Sequence, residues 1–253
     1  MVDFRYHLVS LISVFIALSV GVILGAGPLQ NAIGEALTSE AATLRDSNAE
    51  LKQQAERAHV RAQKQDQAFN TLAPALLKNT LAGQNVAIVR TPGVTDAVYA
   101  AVTAKLQLSG AQLGTVLGLT NLWVDAQQNS YRSAFAQQIS TYVKGVATGA
   151  DADTALGVAL SQVLRAGSTD PNNATLVQVM SESDTPLLEK SAKLSGAADV
   201  VLVLTPDARA PQASGDKKTD AQATAVVEYT RTMLVKLVET LASKGATVVA
   251  GAA

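Results

Sequence analysis

The most constraining feature of the sequence is an uncharged apolar run close to the N-terminus. From Leu8 to Ala26 the chain reads LVSLISVFIALSVGVILGA, and the first charged residue after it is Glu35. About 20 apolar residues in a helix cover the hydrocarbon core of a bilayer. A cleaved signal peptide usually has a shorter apolar region that ends in a small-residue cleavage site. The run therefore predicts an uncleaved transmembrane anchor over residues 1–30. A cleaved signal and a buried soluble helix are the alternatives.

The charges that flank this run predict its orientation. Arg5 lies on the short N-terminal side, beside Asp3, and the first basic residue beyond the run is Arg45. Basic residues near a membrane span are enriched on the cytoplasmic side. We therefore expect a single-pass protein of the plasma membrane, with a cytoplasmic N-terminus and an extracytoplasmic C-terminal region.

Small residues form a stripe along the predicted anchor, since Ser13, Ala17, Gly21 and Gly25 follow one another at intervals of four. Such a stripe lets two helix backbones approach closely in lipid. The alternative is that glycine and alanine are simply common in membrane helices. The stripe predicts that the anchor self-associates.

A heptad pattern follows in residues 31–80 and predicts a parallel coiled coil. One set of positions, assigned to d, holds Leu37, Leu44, Leu51, Ala58, Gln65 and Leu72. The other set, assigned to a, holds Ala41, Asn48, Ala55, Ala62 and Phe69. Apolar residues that alternate at these two spacings form the seam of a coiled coil. The alternative is a lone polar helix with a chance periodicity.

Asn48 and the flanking charges favour a parallel dimer. A buried asparagine at an a position tends to fix the register of a parallel pair, at a cost in stability. In that register Glu40 faces Arg45 of the second copy, and Arg61 faces Asp66. A rod of this kind would hold the next domain on the order of 50 Å from the membrane.

Residues 81–253 predict an α/β domain with a mostly parallel sheet flanked by helices. Apolar runs that read as strands alternate with stretches of helical spacing, which is typical of a parallel sheet covered on both faces. The predicted strands are Asn85–Arg90, Ala111–Leu119, Ala198–Thr205 and the closing ATVVAG run. The predicted helices are Val94–Ser109, Ala126–Lys144, Thr154–Arg165 and Ala223–Leu241, with a mobile loop over Pro206–Asp220.

Polar and turn residues follow two of these strands. Arg90, Thr91, Pro92 and Gly93 end the first strand, and Thr205 begins a similar turn after a later one. Ligands of open α/β sheets usually bind at the carboxyl ends of strands. We interpret Arg90 to Gly93 as a possible ligand or partner site; the alternative is that these residues only form a turn.

Composition excludes several kinds of chemistry. The chain has no cysteine, and its two histidines are His7 and His59, so the distal domain has neither a thiolate nor a histidine ligand or base. Met180 and Met233 are isolated. The net charge of −1 does not favour nucleic-acid binding, and no phosphate-binding glycine motif follows a strand. We expect no enzyme and no cofactor, although an enzyme using carboxylates or Arg90 is a further alternative.

The opening DFRYHLVSLISVFIALSVGVILGAGPL, the heptad segment and NVAIVRTPGV resemble the actinobacterial family called copper transport outer membrane protein, MctB. The later VVLVLTPDA and TVVAG are similar to its distal domain. The resemblance covers essentially the whole chain. Longer members of the family continue beyond the VVAG strand, so we expect this chain to be shorter than they are.

The resemblance implies two functions. One is copper efflux or tolerance through a pore in the outer membrane. The other is that of the SteB-like members, which work with a membrane partner, SteA, and regulate peptidoglycan hydrolases during daughter-cell separation. It therefore implies a SteA-like protein or a peptidoglycan hydrolase as the partner.

The residues favour the second implication over the first. A transmembrane barrel needs at least about eight alternating strands, whereas this sequence predicts four, with continuous apolar runs. A copper site needs clustered Cys, Met or His ligands, and the sequence provides no such cluster. We therefore expect a homodimeric, membrane-anchored scaffold of the cell envelope, with copper transport or homeostasis as the alternative.

Overall fold

The computed structural model describes residues 4–26, 28–206 and 216–251, together with the side-chain surroundings of all of these except residues 24–38 and 217. The chain divides into two compact units, Met1–Thr71 and Leu72–Ala253.

The first unit consists of two long helices. Helix α1 spans Phe4–Ala26, and helix α2 spans Pro28–Leu77, so that its last six residues belong to the second unit. Proline is favoured at the first position of a helix, because its fixed φ suits the helix and its missing N–H would be unpaired there. Pro74 would be expected to end a helix, yet it lies inside the last turns of α2. The chain leaves the helical path at Asn79, which has a φ of 60°.

The second unit contains a four-stranded sheet. Its strands are β1 (Asn85–Arg90), β2 (Gln112–Gly118), β3 (Val200–Leu204) and β4 (Thr247–Ala250). Their order in the sheet is β2-β1-β3-β4, and every neighbouring pair is parallel. The predicted α/β class with a parallel sheet is confirmed.

Five helices accompany the sheet: α3 (Asp96–Leu108), α4 (Asn129–Ile139), α5 (Ala152–Ala166), α6 (Asn172–Glu182) and α7 (Lys217–Ser243). Helix α3 covers one face, where it packs on a small cluster that includes Ile88 and Leu204. The other four cover the opposite face, and together with the sheet they build the larger core. This unit therefore has a hydrophobic core of its own.

The helices differ from the sequence-based expectations in three places. Within α3, the helical spacing predicts Val98, Val102 and Leu106 on one face, but Val98 is 46% exposed, and Tyr99 packs against the sheet with the other two. Helix α6 was not predicted. Helix α7 begins earlier than expected because the Asp216 side chain caps it by accepting a hydrogen bond from the backbone N–H of Lys218.

The expected loop over Pro206–Asp220 is wrong at its C-terminal end, because residues 217–220 already belong to α7. Residues 207–215 of that loop lie outside the described part of the chain. The predicted helix over Ala126–Lys144 is also shorter than expected. Its regular part is α4, and one-turn 3-10 helices lie on both sides.

Candidate functional site

The sheet has one position at which the strand order reverses. The chain places β2 on one side of β1 and then β3 on the other, so the reversal lies between β1 and β3. Arg90 and Leu204, the last residues of these two strands, pair with each other. Ligands of open α/β sheets bind in the crevice outside such a reversal. The predicted site residues therefore lie where this fold usually places a ligand.

The turn after β1 is held tightly against the end of β3. Thr91 is 3% exposed, and both its backbone N–H and its hydroxyl donate hydrogen bonds to the Leu204 carbonyl, at 3.0 and 2.9 Å. Gly93 has a φ of 91°, and a Cβ there would lie 3.2 Å from the Pro206 Cβ. Glycine suits this position because of both the dihedral angle and the close approach. Pro92, between them, is half-buried.

The Arg90 side chain contacts the start of α3, the helix that follows its strand. Its Nη2 donates hydrogen bonds to the Asp96 carboxylate at 2.8 Å and to the Val94 carbonyl at 3.3 Å. Its guanidinium also lies over the Tyr99 ring, 5.0 Å from the centroid. The guanidinium charge is thus balanced by Asp96, whose side chain is 92% exposed.

The structure brings Arg90, Thr91, Pro92 and Gly93 together with Thr205 and Pro206, but it uses most of their polar groups internally. A ligand at this crevice would have to displace Asp96 from Arg90. A ligand or partner role for these residues stays a prediction. Asp207, which follows in the sequence, lies outside the described residues.

Helix α1 meets the length and composition requirements of a membrane span. Its Phe4–Ile23 segment contains 20 residues with a mean hydropathy of 2.2, and none of it is buried within the chain. The Ser13 hydroxyl donates a hydrogen bond to the Val9 carbonyl at 2.9 Å. This bond lowers the free-energy cost of placing a hydroxyl in lipid. A Cβ at Gly21 would meet nothing within 4 Å, so this face is open.

The predicted seam of α2 is exposed in the single chain. Leu44, Leu51 and Phe69 are 66, 64 and 67% exposed, and Asn48 is exposed among them. The surroundings of Gly25 and Leu37, two further residues of the predicted dimer interface, lie outside the described part of the chain. Self-association through either helix stays a prediction.

The second unit contains a buried arginine that sequence reasoning missed. Arg132 has no exposed side-chain surface, and its Nε donates to the Asp153 carboxylate at 2.8 Å. Its Nη1 donates to the carbonyls of Leu122 and Asp125, and its Nη2 to the hydroxyl of Tyr229. This network joins α4, α5 and α7. The available signal was that Arg132 lies at helical spacing from three apolar residues of α4 (Phe135, Ala136 and Ile139), all buried.

A second ionic contact lies beside this network. Lys236 donates to the Asp151 carboxylate at 2.7 Å and lies 3.8 Å from that of Asp153. The hydrogen bond from Lys236 lowers the pKa of Asp151 below its ordinary value, and hydrogen bonds from Thr154 act in the same direction. Asp151 also caps α5 through the backbone N–H of Thr154.

Metal-binding groups do not cluster in the described part of the chain. Within residues 4–26, 28–206 and 216–251, no group of three His, Cys, Asp or Glu side chains could hold a metal ion. Met180 and Met233, the soft ligands of the distal domain, are 0 and 8% exposed and pack in the core. They occupy hydrophobic positions.

An apolar helix able to span a bilayer and a parallel α/β domain with its own core define a class, the membrane-associated α/β proteins. Within this class, the chain belongs to the family described as copper transport outer membrane protein, MctB, whose model matches residues 1–253. The resemblance expected from the sequence is confirmed, and so is membrane association. The family is not a known enzyme family.

Relatives with the name copper transporter MctB match much of the chain. Those of Mycobacterium bovis and Mycobacterium tuberculosis are 27% identical over 220 residues, which cover 81% of this chain and 68% of theirs. That of Mycobacterium leprae is 29% identical over 180 residues, which cover 68% of this chain and 56% of its own length.

Proposed function

We propose that this chain is a membrane-anchored scaffold of the cell envelope that pairs with a second copy through α2 and presents its α/β domain to a partner protein. The observation that carries the proposal is the exposed heptad seam of α2. Leu44 and Leu51 lie one heptad apart and are each about two-thirds exposed. Burying a leucine side chain fully contributes about 1.5–3 kcal/mol, so pairing of two such helices is favourable.

The charged flanks of α2 also fit a paired helix. Glu40, Arg45, Arg61 and Asp66 are exposed, and among the residues that the structure describes none of them forms an ion pair within its own chain. In a parallel dimer, residues at g of one helix face residues at e of the next heptad on the other. These four side chains thus supply attractive pairs to a second copy.

The partner follows from the family resemblance and the expected orientation. If the N-terminus is cytoplasmic, the α/β domain lies outside the plasma membrane, where cell-wall enzymes act. A SteA-like membrane protein or a peptidoglycan hydrolase is therefore the partner that we propose. The role in cell separation would consist of holding that partner at the membrane.

A second candidate function is copper transport or copper homeostasis. It is favoured by the family description and by the names of the mycobacterial relatives. Copper prefers soft Cys, Met and imidazole ligands. The chain has no cysteine, and both methionines of its distal domain are packed in the core. These observations support the scaffold, with a copper phenotype as an indirect consequence.

The two candidate functions can be distinguished in cells that lack the native protein. We would complement them with a double variant, Leu44→Asp with Leu51→Asp, which places like charges in the seam, and with Gln53→Asp with Gln67→Asp, which places the same charges on the opposite face. The scaffold predicts unseparated chains of cells for the first variant, normal separation for the second, and unchanged copper tolerance for both. Immunoblots of membrane fractions would verify equal protein levels.

Copper sensitivity without a separation defect in the seam variant would contradict the scaffold and favour the second candidate. Normal separation and normal copper tolerance in that variant would contradict any role for the seam.

A further inference from the structure

The two edges of the parallel sheet differ in how they are covered. At the β2 edge the chain covers itself, because Val116 and Lys193 exchange two backbone hydrogen bonds and the Glu189 N–H donates to the Gly118 carbonyl. At the other edge, β4 pairs with β3 alone among the described residues. An edge strand presents unpaired backbone groups to any strand that can reach it.

Two exposed valines lie on this second edge. Val248 and Val249 of β4 are 52 and 48% exposed. Val248 pairs with Leu202, which belongs to the small cluster under α3, and Val249 pairs with Val203, which belongs to the larger core. Successive side chains of a strand point to opposite faces of the sheet. The β4 edge therefore exposes apolar surface on both faces.

Helix α7, which precedes β4, places a third exposed valine at the same level. Val235 is 49% exposed and lies eight residues before Ser243, the last residue of α7, which is about 12 Å along the helix. Val248 and Val249 lie three and four residues after Gly245, in the turn between the two elements, which is about 10–13 Å along the strand. All three valines therefore lie at about the same distance from this turn.

Opposite charges flank Val235 on α7. Arg231 lies one turn before it and Glu239 one turn after it, and all three are exposed. The Arg231 side chain is 74% exposed and its contact with Glu228 is 4.0 Å long, whereas Glu239 forms no ion pair among the described residues. In an antiparallel pair of α7 helices that meet at Val235, Arg231 of each copy would face Glu239 of the other.

We propose that the edge formed by β4 and the exposed side of α7 pairs with the same edge of a second copy of this chain. A two-fold interface uses one patch on both copies, so the patch must complement itself. Charges of opposite sign at equal distances on either side of Val235 meet this requirement. Because the valines of α7 and β4 lie at one level, a single two-fold axis can serve the helices and the strands together.

This interface goes beyond the proposed pairing of α2 and uses different residues. Pairing of α2 is measured separately, from a thiol placed in α2, so either interface can fail while the other holds.

The test places a unique thiol at the proposed axis, in the full chain and in native membranes. Val235→Cys should form a disulfide-linked dimer rapidly under mild oxidation, because residues at a two-fold axis face their own copies within disulfide reach. Val98→Cys is the matched control, since Val98 is 46% exposed but lies on α3, on the other face of the sheet. It should give little dimer.

Charge reversals then test the register of the pair. In the Val235→Cys chain, Arg231→Glu and Glu239→Arg should each slow crosslinking by about fivefold, because like charges would face each other across the axis. The two reversals together should restore the rate, since they exchange the charges without removing the attraction.

Four results would overturn the proposal. These are no dimer from Val235→Cys, a crosslink from it to a different protein, a rate from Val98→Cys equal to that from Val235→Cys, and a double reversal as slow as the single ones.

Discussion

The two units of this chain are stabilised in different ways. In the first unit, every residue whose burial is described, 4–23 and 39–71, is exposed. In the second, all four strands contribute to clusters of buried hydrophobic side chains or pack against them, and β1 contributes four residues that are at most 3% exposed. The second unit therefore has a core made of its own contacts, whereas we propose that lipid and a second copy cover the apolar side chains of the first.

Because of this difference, the informative residues are exposed apolar ones in the first unit and buried polar ones in the second. Exposed apolar residues at a regular helical spacing point to something outside the chain, and we propose a bilayer around α1 and another helix against α2. A buried polar residue indicates how the chain holds itself together, as Arg132 does among α4, α5 and α7. The comparison can be tested by removing the first unit or by changing residues of the second.

Removal of the first unit should have the largest effect on localisation and little effect on the α/β fold. A chain of residues 72–253 should leave the membrane fraction completely. It should still unfold in urea in one cooperative step, with a free energy of unfolding within about 0.5 kcal/mol of that of the same domain in the full chain. Trp123, the single tryptophan, is 4% exposed and reports this step by fluorescence. A fragment that shows no cooperative transition would break the comparison.

Replacement of Arg132 should have the largest effect on stability. Arg132→Met removes a fully buried guanidinium. It leaves the carbonyls of Leu122 and Asp125 without this donor, and it leaves Asp153 with the longer contact to Lys236 at 3.8 Å. The loss should be about 3–5 kcal/mol in the free energy of unfolding, since each buried acceptor that loses its donor costs about 1–3 kcal/mol. Urea unfolding followed by Trp123 fluorescence measures it.

Arg231→Met is the control for that prediction. Arg231 lies on α7 and is 74% exposed, and its contact with Glu228 is 4.0 Å long. Its replacement should change the free energy of unfolding by at most about 0.5 kcal/mol. Equal losses in the two variants would show that the buried network does not hold the domain together.

The smallest effect should come from the Asp151 and Lys236 pair. Asp151→Asn keeps an N-cap acceptor for α5 but removes the charge, so near pH 7 it should cost about 0.5 kcal/mol, because the Asp151 side chain is 58% exposed and screened by solvent.

The pH dependence of this effect has a definite sign. The pKa of Asp151 is lower in the folded state, so its contribution is complete above the unfolded value of about 3.9 and is lost as the pH falls through the folded value. The difference between the two proteins in urea midpoint should therefore shrink on acidification below that range. A difference that grows there would contradict the assignment of the pair.

Local sequence patterns predicted the parts of the fold that depend on local order. The run NVAIVR became β1, and Ala198–Thr205 contains β3, because continuous apolar runs are typical of parallel strands buried on both faces. Helix α6 was missed since it begins with two asparagines and has no side-chain cap. The segment after it is ordered by long-range backbone bonds, such as that from Lys193 to Val116, which no local pattern contains.

The sequence predicted where the candidate site lies in the fold, but not which contacts its residues make. Arg90 to Gly93 could be placed at a strand end from the sequence, but the pairing of Arg90 with Asp96 and Tyr99 depends on the phase of α3 against the sheet. The buried network of Arg132 joins residues 97 positions apart, Arg132 and Tyr229, and only the folded chain brings them together.

The most direct test of the central claim is disulfide crosslinking of α2 in native membranes. The chain has no cysteine, so Asn48→Cys and Gln53→Cys each introduce a unique thiol, the first in the predicted seam and the second on the opposite face. A disulfide requires Cβ atoms about 3.5–4.5 Å apart, and residues at an a position face each other in a parallel dimer. We predict rapid formation of a crosslinked dimer from Asn48→Cys under mild oxidation and little from Gln53→Cys. Equal yields from both positions, or no dimer from Asn48→Cys, would contradict the account.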